Sequence, residues 1–222
     1  MIRRIIEDKI GESLSRGKTV TIIGPRQVGK STLARTVIPK DAKVLELNGD
    51  STDIQGMFLD VNETGLKLLV GDNDFVFVDE AQKIGNIGNM LKIVSDKMKG
   101  VKLIVTGSSA FKLTSAINES LTGRKREFKL YPLSFKEMVN HTSLLEEQRM
   151  LEHRMIYGYY PEVVTSPGDE NETIREIIDS YLYKDVMEEN HISKPERLVK
   201  LVQALAFQIG STVSANELSG LV

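Results

Sequence analysis

The sequence contains no cysteine and no tryptophan in its 222 residues. The first absence excludes disulfides and thiolate metal sites, and it suits a reducing cytoplasm, where the chain is expected to reside. The second, with an aromatic content of only 6%, leaves Leu, Ile and Val to fill the core. Apolar runs are short. None approaches the roughly 20 residues needed to span a bilayer, so no membrane partner is expected. The opening stretch, Met1 to Asp8, turns acidic before any signal-like apolar run forms. The three histidines, His141, His153 and His191, show no metal-ligand spacing. A net charge of −2 supplies no global attraction for nucleic acid. What remains is an ordinary globular composition, 41% hydrophobic and 27% charged, long enough for a large domain or a core plus a small one.

The first half alternates strand-like and helix-like segments, which predicts an α/β fold with a parallel five-stranded sheet flanked by helices. Ile2, Ile5, Ile6, Ile10 and Leu14 have helical spacing over 2–15. Residues 19–23 form a β-branched strand that runs into a glycine loop, and 31–37 the helix behind it. Further strands are expected at 43–47, 74–78, 101–105 and 127–131, and helices at 53–70 and 86–98. Gly56 and Gly65 weaken the helix at 53–70. From Ser134 the pattern is helical, broken at 157–168, with helices at 171–189 and 195–209. A boundary is therefore expected near 133–136, between an α/β core at 1–133 and an all-helical part.

Gly24-Pro25-Arg26-Gln27-Val28-Gly29-Lys30-Ser31, followed by Thr32, fits the pattern GxxxxGK[ST] without a gap. Glycines let consecutive backbone amides close around phosphate oxygens, and the helix that follows adds its positive end. Lys30 would reach the β- and γ-phosphates, and the Ser31 hydroxyl would ligate magnesium. The apolar strand Phe75-Val76-Phe77-Val78 then delivers Asp79 and Glu80 at its carboxyl end. Asp79 would hold magnesium, a hard cation that favours oxygen. Glu80 would polarise a water for in-line attack on the γ-phosphate. The strand ending in Thr106-Gly107-Ser108-Ser109 should lie between the other two. Ser108 is preferred to Thr106 as a contact to the γ-phosphate or the water, although Ser108 or Ser109 capping a helix is the alternative. Arg124, ahead of Arg126, is either a finger stabilising transition-state charge across a subunit interface of a homo-oligomer or part of a solvated basic cluster.

GPRQVGKS, FVFVDEAQK, LIVTGSSAF, LTGRKREFKLYPLSFKEM and GYYPEVV together resemble a family of prokaryotic AAA-type P-loop ATPases. The resemblance covers nearly the whole chain. It implies Lys30 and Ser31 on phosphate and magnesium, Asp79 on magnesium, Glu80 as the catalytic acidic residue, a helical lid at 134–193 after Pro132, and the beginning of a winged helix at 194–222. Gly158-Tyr159-Tyr160-Pro161 matches the family's GG-x-P lid element near adenine, with Tyr159 replacing the second glycine; read alone it is an interhelix turn. A winged helix and a nuclease-like domain usually follow in the family. Pro195 opens a helix whose inner face carries Leu198, Leu201, Val202, Leu205 and Ile209, and Ser214 to Glu217 reads as a capping box. The sequence stops at Leu221-Val222, so the winged helix is expected to be interrupted, and any DNA partner rests on analogy.

Three activities share such a cradle: a magnesium-dependent ATP hydrolase, a nucleotide-regulated DNA-binding or scaffold module with little hydrolysis, and a small-molecule kinase. Asp79-Glu80 favours the first. A kinase lid would be rich in arginine, and 134–170 holds only Arg149 and Arg154. Leu218-Ser219-Gly220 lacks the rest of the transporter-ATPase signature, and no Asn-Lys-x-Asp occurs to specify guanine.

Overall fold

The computed structural model describes residues 1–58, 62–108, 121–179 and 195–221. Five strands, β1 (Thr19–Ile23), β2 (Val44–Asn48), β3 (Phe75–Asp79), β4 (Lys102–Gly107) and β5 (Lys125–Lys129), form one sheet in the order β2-β3-β4-β1-β5. Every neighbouring pair is parallel. Parallel neighbours cannot be joined by hairpins, so the connections cross the faces and bury both of them. Side chains alternate accordingly. Val20, Ile22, Phe75, Phe77 and Ile104 pack on one face with Ile10 and Leu14 of α1 (Glu7–Ser15) and Leu33 and Ala34 of α2 (Lys30–Val37). Val76, Val78, Leu103 and Val105 pack on the other with Leu66 of α4 (Glu63–Val70) and Met90, Leu91 and Val94 of α5 (Ile87–Lys97).

The strand order positions the site. From β1 the chain crosses to the far edge at β2, returns through β3 to β4 beside β1, and adds β5 on the other flank of β1. The carboxyl ends of β1, β4 and β3 thus lie side by side where the winding direction reverses. Open α/β sheets bind ligands in that crevice.

Two expected helices differ. The one expected over 53–70 is divided into α3 (Thr52–Met57) and α4, the latter begun by Asn62, whose side chain accepts from the Gly65 amide. Residues 59–61 lie outside the described part. The helix expected over 2–15 begins only at Glu7, because the backbone before it is engaged elsewhere. The Ile5 amide donates to Glu137 Oε1 at 2.9 Å, and the Arg4 amide to Glu7 Oε1 at 2.7 Å.

After β5 come α6 (Phe135–His141), α7 (Leu144–Arg149), α8 (Leu151–Tyr157) and α9 (Pro161–Thr165). These belong with the sheet to one compact unit, Met1–Pro167. Gly168–Val222 forms a second. Its described residues are helical: α10 (Glu170–Ile177), α11 (Pro195–Phe207) and α12 (Ala215–Leu221). The helix expected over 171–189 is described only to residue 179. Among the described residues, no helix is long and apolar enough to cross a membrane.

A buried ion pair ties the start of the chain to α6. Arg4 and Glu137 side chains are 9% and 6% exposed, with Nε and Oε1 3.0 Å apart. Arg4 also donates to the carbonyls of Val28 (2.8 Å) and Tyr131 (2.6 Å), so one guanidinium links the glycine loop, the 131–132 turn and α6. Glu137 completes a capping box with Ser134. Burial, the largest influence on its carboxyl, pushes the pKa upward. The Ser134 and Ile5 amides and the Arg4 guanidinium together outweigh burial and leave it below the ordinary 4.5. A carboxylate whose folded pKa is depressed adds stability that is complete above the unfolded value and is lost as pH falls through the folded one.

Glu137→Gln should therefore cost about 3–5 kcal/mol near neutral pH, the usual result of removing one partner of a buried pair. The difference in Tm from wild type should narrow as pH falls below about 4. Thermal melts of both proteins between about pH 3 and 7 check this, and a gap constant across that range contradicts the assignment.

Candidate functional site

The glycine loop leaves the carboxyl end of β1, and its shape is set by close backbone approach. A Cβ on Gly24 would fall inside the Leu130 carbonyl oxygen. Gly29 has φ +91° and Gln27 φ +59°, conformations that turn the loop back on itself before α2 begins. Val28 is fully buried and anchors the loop from below. Lys30, only 4% exposed, curls under the loop and donates to the carbonyls of Gly24 (3.1 Å) and Pro25 (2.9 Å). Pro25, Arg26 and Gln27 are half-buried and Thr32 is exposed on the first turn of α2. Gln27 Oε1 is buried without a hydrogen-bond partner.

Asp79 ends β3, two strands from the loop, yet its carboxylate reaches it. Oδ1 accepts the Ser31 hydroxyl at 2.9 Å and also the Thr106 hydroxyl from the end of β4. Glu80 follows in a left-handed conformation, φ +47° and ψ +47°, which costs a non-glycine residue on the order of 1–3 kcal/mol. Its amide donates to Thr106 Oγ1 at 3.3 Å. Its Oε1 lies 3.8 Å from Lys30 Nζ, and its Oε2 accepts from Gln82 Nε2 at 2.5 Å. Gln82 Nε2 also donates to Ser108 Oγ at 3.2 Å. One connected cluster therefore joins Lys30, Ser31, Asp79, Glu80, Thr106 and Ser108.

Of the residues singled out in the sequence, Arg124 is not part of this cluster. Its carbonyl accepts from the Thr19 amide, which places it at the amino end of β1 and β5, about 16 Å of strand from the glycine loop. There its Nε pairs with Asp96 Oδ1 at 2.7 Å. Ser109 lies outside the described residues. The Gly158-Tyr159-Tyr160-Pro161 element comes close to the loop. Leu133 N donates to Tyr159 O at 2.8 Å, Tyr160 packs on the α1/α2 side of the core, and Pro161 faces Val28 and Thr32 across a cavity of about 180 Å³. Burial raises the Tyr160 phenol above its ordinary pKa. The Tyr159 phenol is raised by burial and by Glu147, which accepts its hydroxyl at 3.3 Å.

Sequence reasoning missed two residues of the site. Gln82 stands inside the DEAQ motif, but nothing in its spacing from Ser108 betrays their contact. The second is Gly49, one residue past β2. Its amide donates to Asp79 O at 2.8 Å, and a Cβ there would collide with the Glu80 carbonyl oxygen. Gly49→Ala should displace the Asp79-Glu80 turn and destabilise the protein by about 1–3 kcal/mol. Thermal unfolding checks this, and an unchanged Tm would mean the turn does not rest on Gly49.

The donor set fits a nucleoside triphosphate with magnesium. A buried lysine sits beneath a tight glycine loop, and hard oxygens of Ser31, Asp79 and Thr106 meet at its edge, as a hard cation requires.

Comparison with known proteins agrees with this geometry. Residues 16–139 match the family described as AAA domain, and residues 148–222 match a domain of unknown function. An uncharacterized protein of Methanocaldococcus jannaschii is 26% identical over 99% of this chain, which spans 53% of that relative's length. The tRNA modification GTPase MnmE of Rickettsia akari is 31% identical across 53% of this chain and 26% of its own. Among solved structures, the Walker-type ATPase PABY2304 of Pyrococcus abyssi superposes with a TM-score of 0.54 at 16% identity, covering 100% of this chain and 88% of that one. That similarity shows a shared P-loop ATPase fold. The AAA match takes in the glycine loop, the Asp79-Glu80 turn and all five strands, more than half of the chain, and so the chain belongs to the AAA domain family.

Proposed function

We propose that the chain binds ATP with magnesium through residues 24–32 and hydrolyses it, with Glu80 activating the attacking water. The observation that carries this reading is the convergence of Lys30, Ser31, Asp79, Glu80, Thr106 and Ser108 in one cluster of hydrogen bonds and an ion pair at the carboxyl ends of β1, β3 and β4. Magnesium, when bound, supplies positive charge to the phosphates, and Ser31 and Asp79 would hold it. Lys30 would exchange its two loop carbonyls for phosphate oxygens. Glu80 Oε1 would take a proton from water as the water oxygen bonds to the γ-phosphorus. The bond from that phosphorus to the β,γ-bridging oxygen breaks, giving ADP and phosphate. Ser108 would donate its hydroxyl to the γ-phosphate.

The base would lie in the cavity beside the loop, lined by Ile2, Val28, Thr32, Leu133, Pro161 and Thr165. At about 180 Å³ it suits a flat base better than a whole drug-sized ligand, for which pockets begin near roughly 300 Å³. Its largely apolar lining and the missing Asn-Lys-x-Asp favour adenine over guanine. Helices α6 to α9 would serve as the lid over that base. Arg124 would act across an interface between copies, since it is remote from Lys30 in its own chain. Helices α11 and α12 would be the first two of a winged helix, whose partner would be DNA. The ATP cycle would drive or switch an activity on DNA or on protein.

Three measurements test the reading. Lys30→Ala should weaken binding of magnesium and ATP by roughly tenfold to a hundredfold, the loss expected for charge-assisted bonds. Glu80→Gln should bind within about twofold of wild type but release phosphate about a hundredfold more slowly or worse. Equal turnover in Glu80→Gln and wild type contradicts the catalytic assignment, and tighter binding of GTP than ATP contradicts the base assignment. With Arg124 acting in trans, turnover per chain should rise with protein concentration and Arg124→Ala should abolish the rise; a flat profile in wild type removes the finger.

A further inference from the structure

Gln82 occupies the 3-10 turn Ala81–Lys83 directly after Glu80. Its two amide hydrogens have two acceptors, Glu80 Oε2 at 2.5 Å and Ser108 Oγ at 3.2 Å. A carboxylate only accepts, so the amide must face it with nitrogen; the reversed amide would oppose two oxygens. Gln82 Oε1 is consequently turned away, buried and without a hydrogen-bond donor. An orphaned buried acceptor costs about 1–3 kcal/mol.

The geometry has two chemical consequences. Glu80 Oε2 is tied down, which leaves Oε1, the oxygen facing Lys30, as the proton acceptor. Ser108 Oγ already accepts a hydrogen bond, so its own proton points elsewhere and is available to a phosphate oxygen. From these contacts we propose that Gln82 is a positioning residue that fixes the Glu80 carboxylate as base and Ser108 as donor in the same motion. This deepens the hydrolase reading above and rests on it. Gln82 itself touches no reacting atom. It makes the base and the phosphate contact depend on each other, because any shift of Ser108, just past β4, is transmitted to Glu80, just past β3, through one amide. The backbone of Glu80, held left-handed over Gly49, leaves only the side chain free to respond.

The test measures phosphate release and magnesium–ATP binding for the full chain as wild type, Gln82→Met, Gln82→Glu and Glu80→Gln. Methionine retains the length and loses both hydrogen bonds. Gln82→Met should bind with unchanged affinity and KM within about twofold, while kcat falls about tenfold or more. Gln82→Glu keeps the branched shape and replaces the donor with an acceptor, so kcat should fall at least as far as in Gln82→Met, again with KM within about twofold. A general loss of packing would change binding and KM together with kcat. If Gln82→Met turns over like wild type while Glu80→Gln is inactive, the positioning role is wrong and the role of Glu80 stands. Wild-type turnover in Glu80→Gln removes the hydrolase reading and this inference with it. Should Gln82→Met fail to fold, Gln82→Glu decides: kcat lowered about tenfold or more at unchanged KM supports the role, and wild-type turnover overturns it.

Discussion

Asp79 Oδ1 is the point on which the site closes. β1 and β3 are separated by β4, about 9.6 Å apart as strand axes, too far for the loop and the acidic turn to meet through backbone. One carboxylate oxygen spans the gap by accepting the Ser31 hydroxyl from the loop side and the Thr106 hydroxyl from the strand between. Hydrogen bonds to a charged group contribute about 1.5–3 kcal/mol each. Together they match or exceed the on-the-order-of 1–3 kcal/mol that the left-handed Glu80 stores in the next residue. The strain is thus tolerated where it is useful, since the turn aims the Glu80 side chain at Lys30 rather than along the strand.

A second constraint comes from the opposite end of the sequence. Arg4 holds Val28 of the glycine loop, the 131–132 turn and Glu137 of α6 with one buried guanidinium. The loop, the N-terminal segment and α6 are thereby joined through one side chain. The cavity beside the loop is lined by the N-terminal segment, the loop, α2, Leu133 and α9, and Arg4 itself is part of its wall.

Much of this was legible in the sequence. The strands stood out because a parallel sheet buried on both faces demands unbroken β-branched and aromatic runs, and residues 19–23 and 75–78 supply them. Asp79 and the glycine loop could be paired because each carries chemistry that the other needs. The placement of β4 between them follows the expected order. Illegible were features made by contacts between residues far apart in sequence. Nothing local announces that Arg4 and Ile5 will give up helix for Glu137, 133 and 132 residues away, or that Gln82 will reach Ser108. The division of 53–70 was half visible in Gly56, whereas the cap at Asn62 that restarts the helix was not. Arg124 shows the converse: the sequence identified a basic residue, and the register of β5 on β1 set it at the end of the sheet away from the loop.

Binding of the phosphates and magnesium by the cluster around Asp79, proposed above, is checked by hydrogen–deuterium exchange of the chain with and without magnesium and a non-hydrolysable ATP analogue. Saturable protection is expected to concentrate in residues 24–32, with smaller protection at 79–82 and 106–108. Saturable binding that leaves residues 24–32 unprotected, with protection appearing elsewhere, would contradict it.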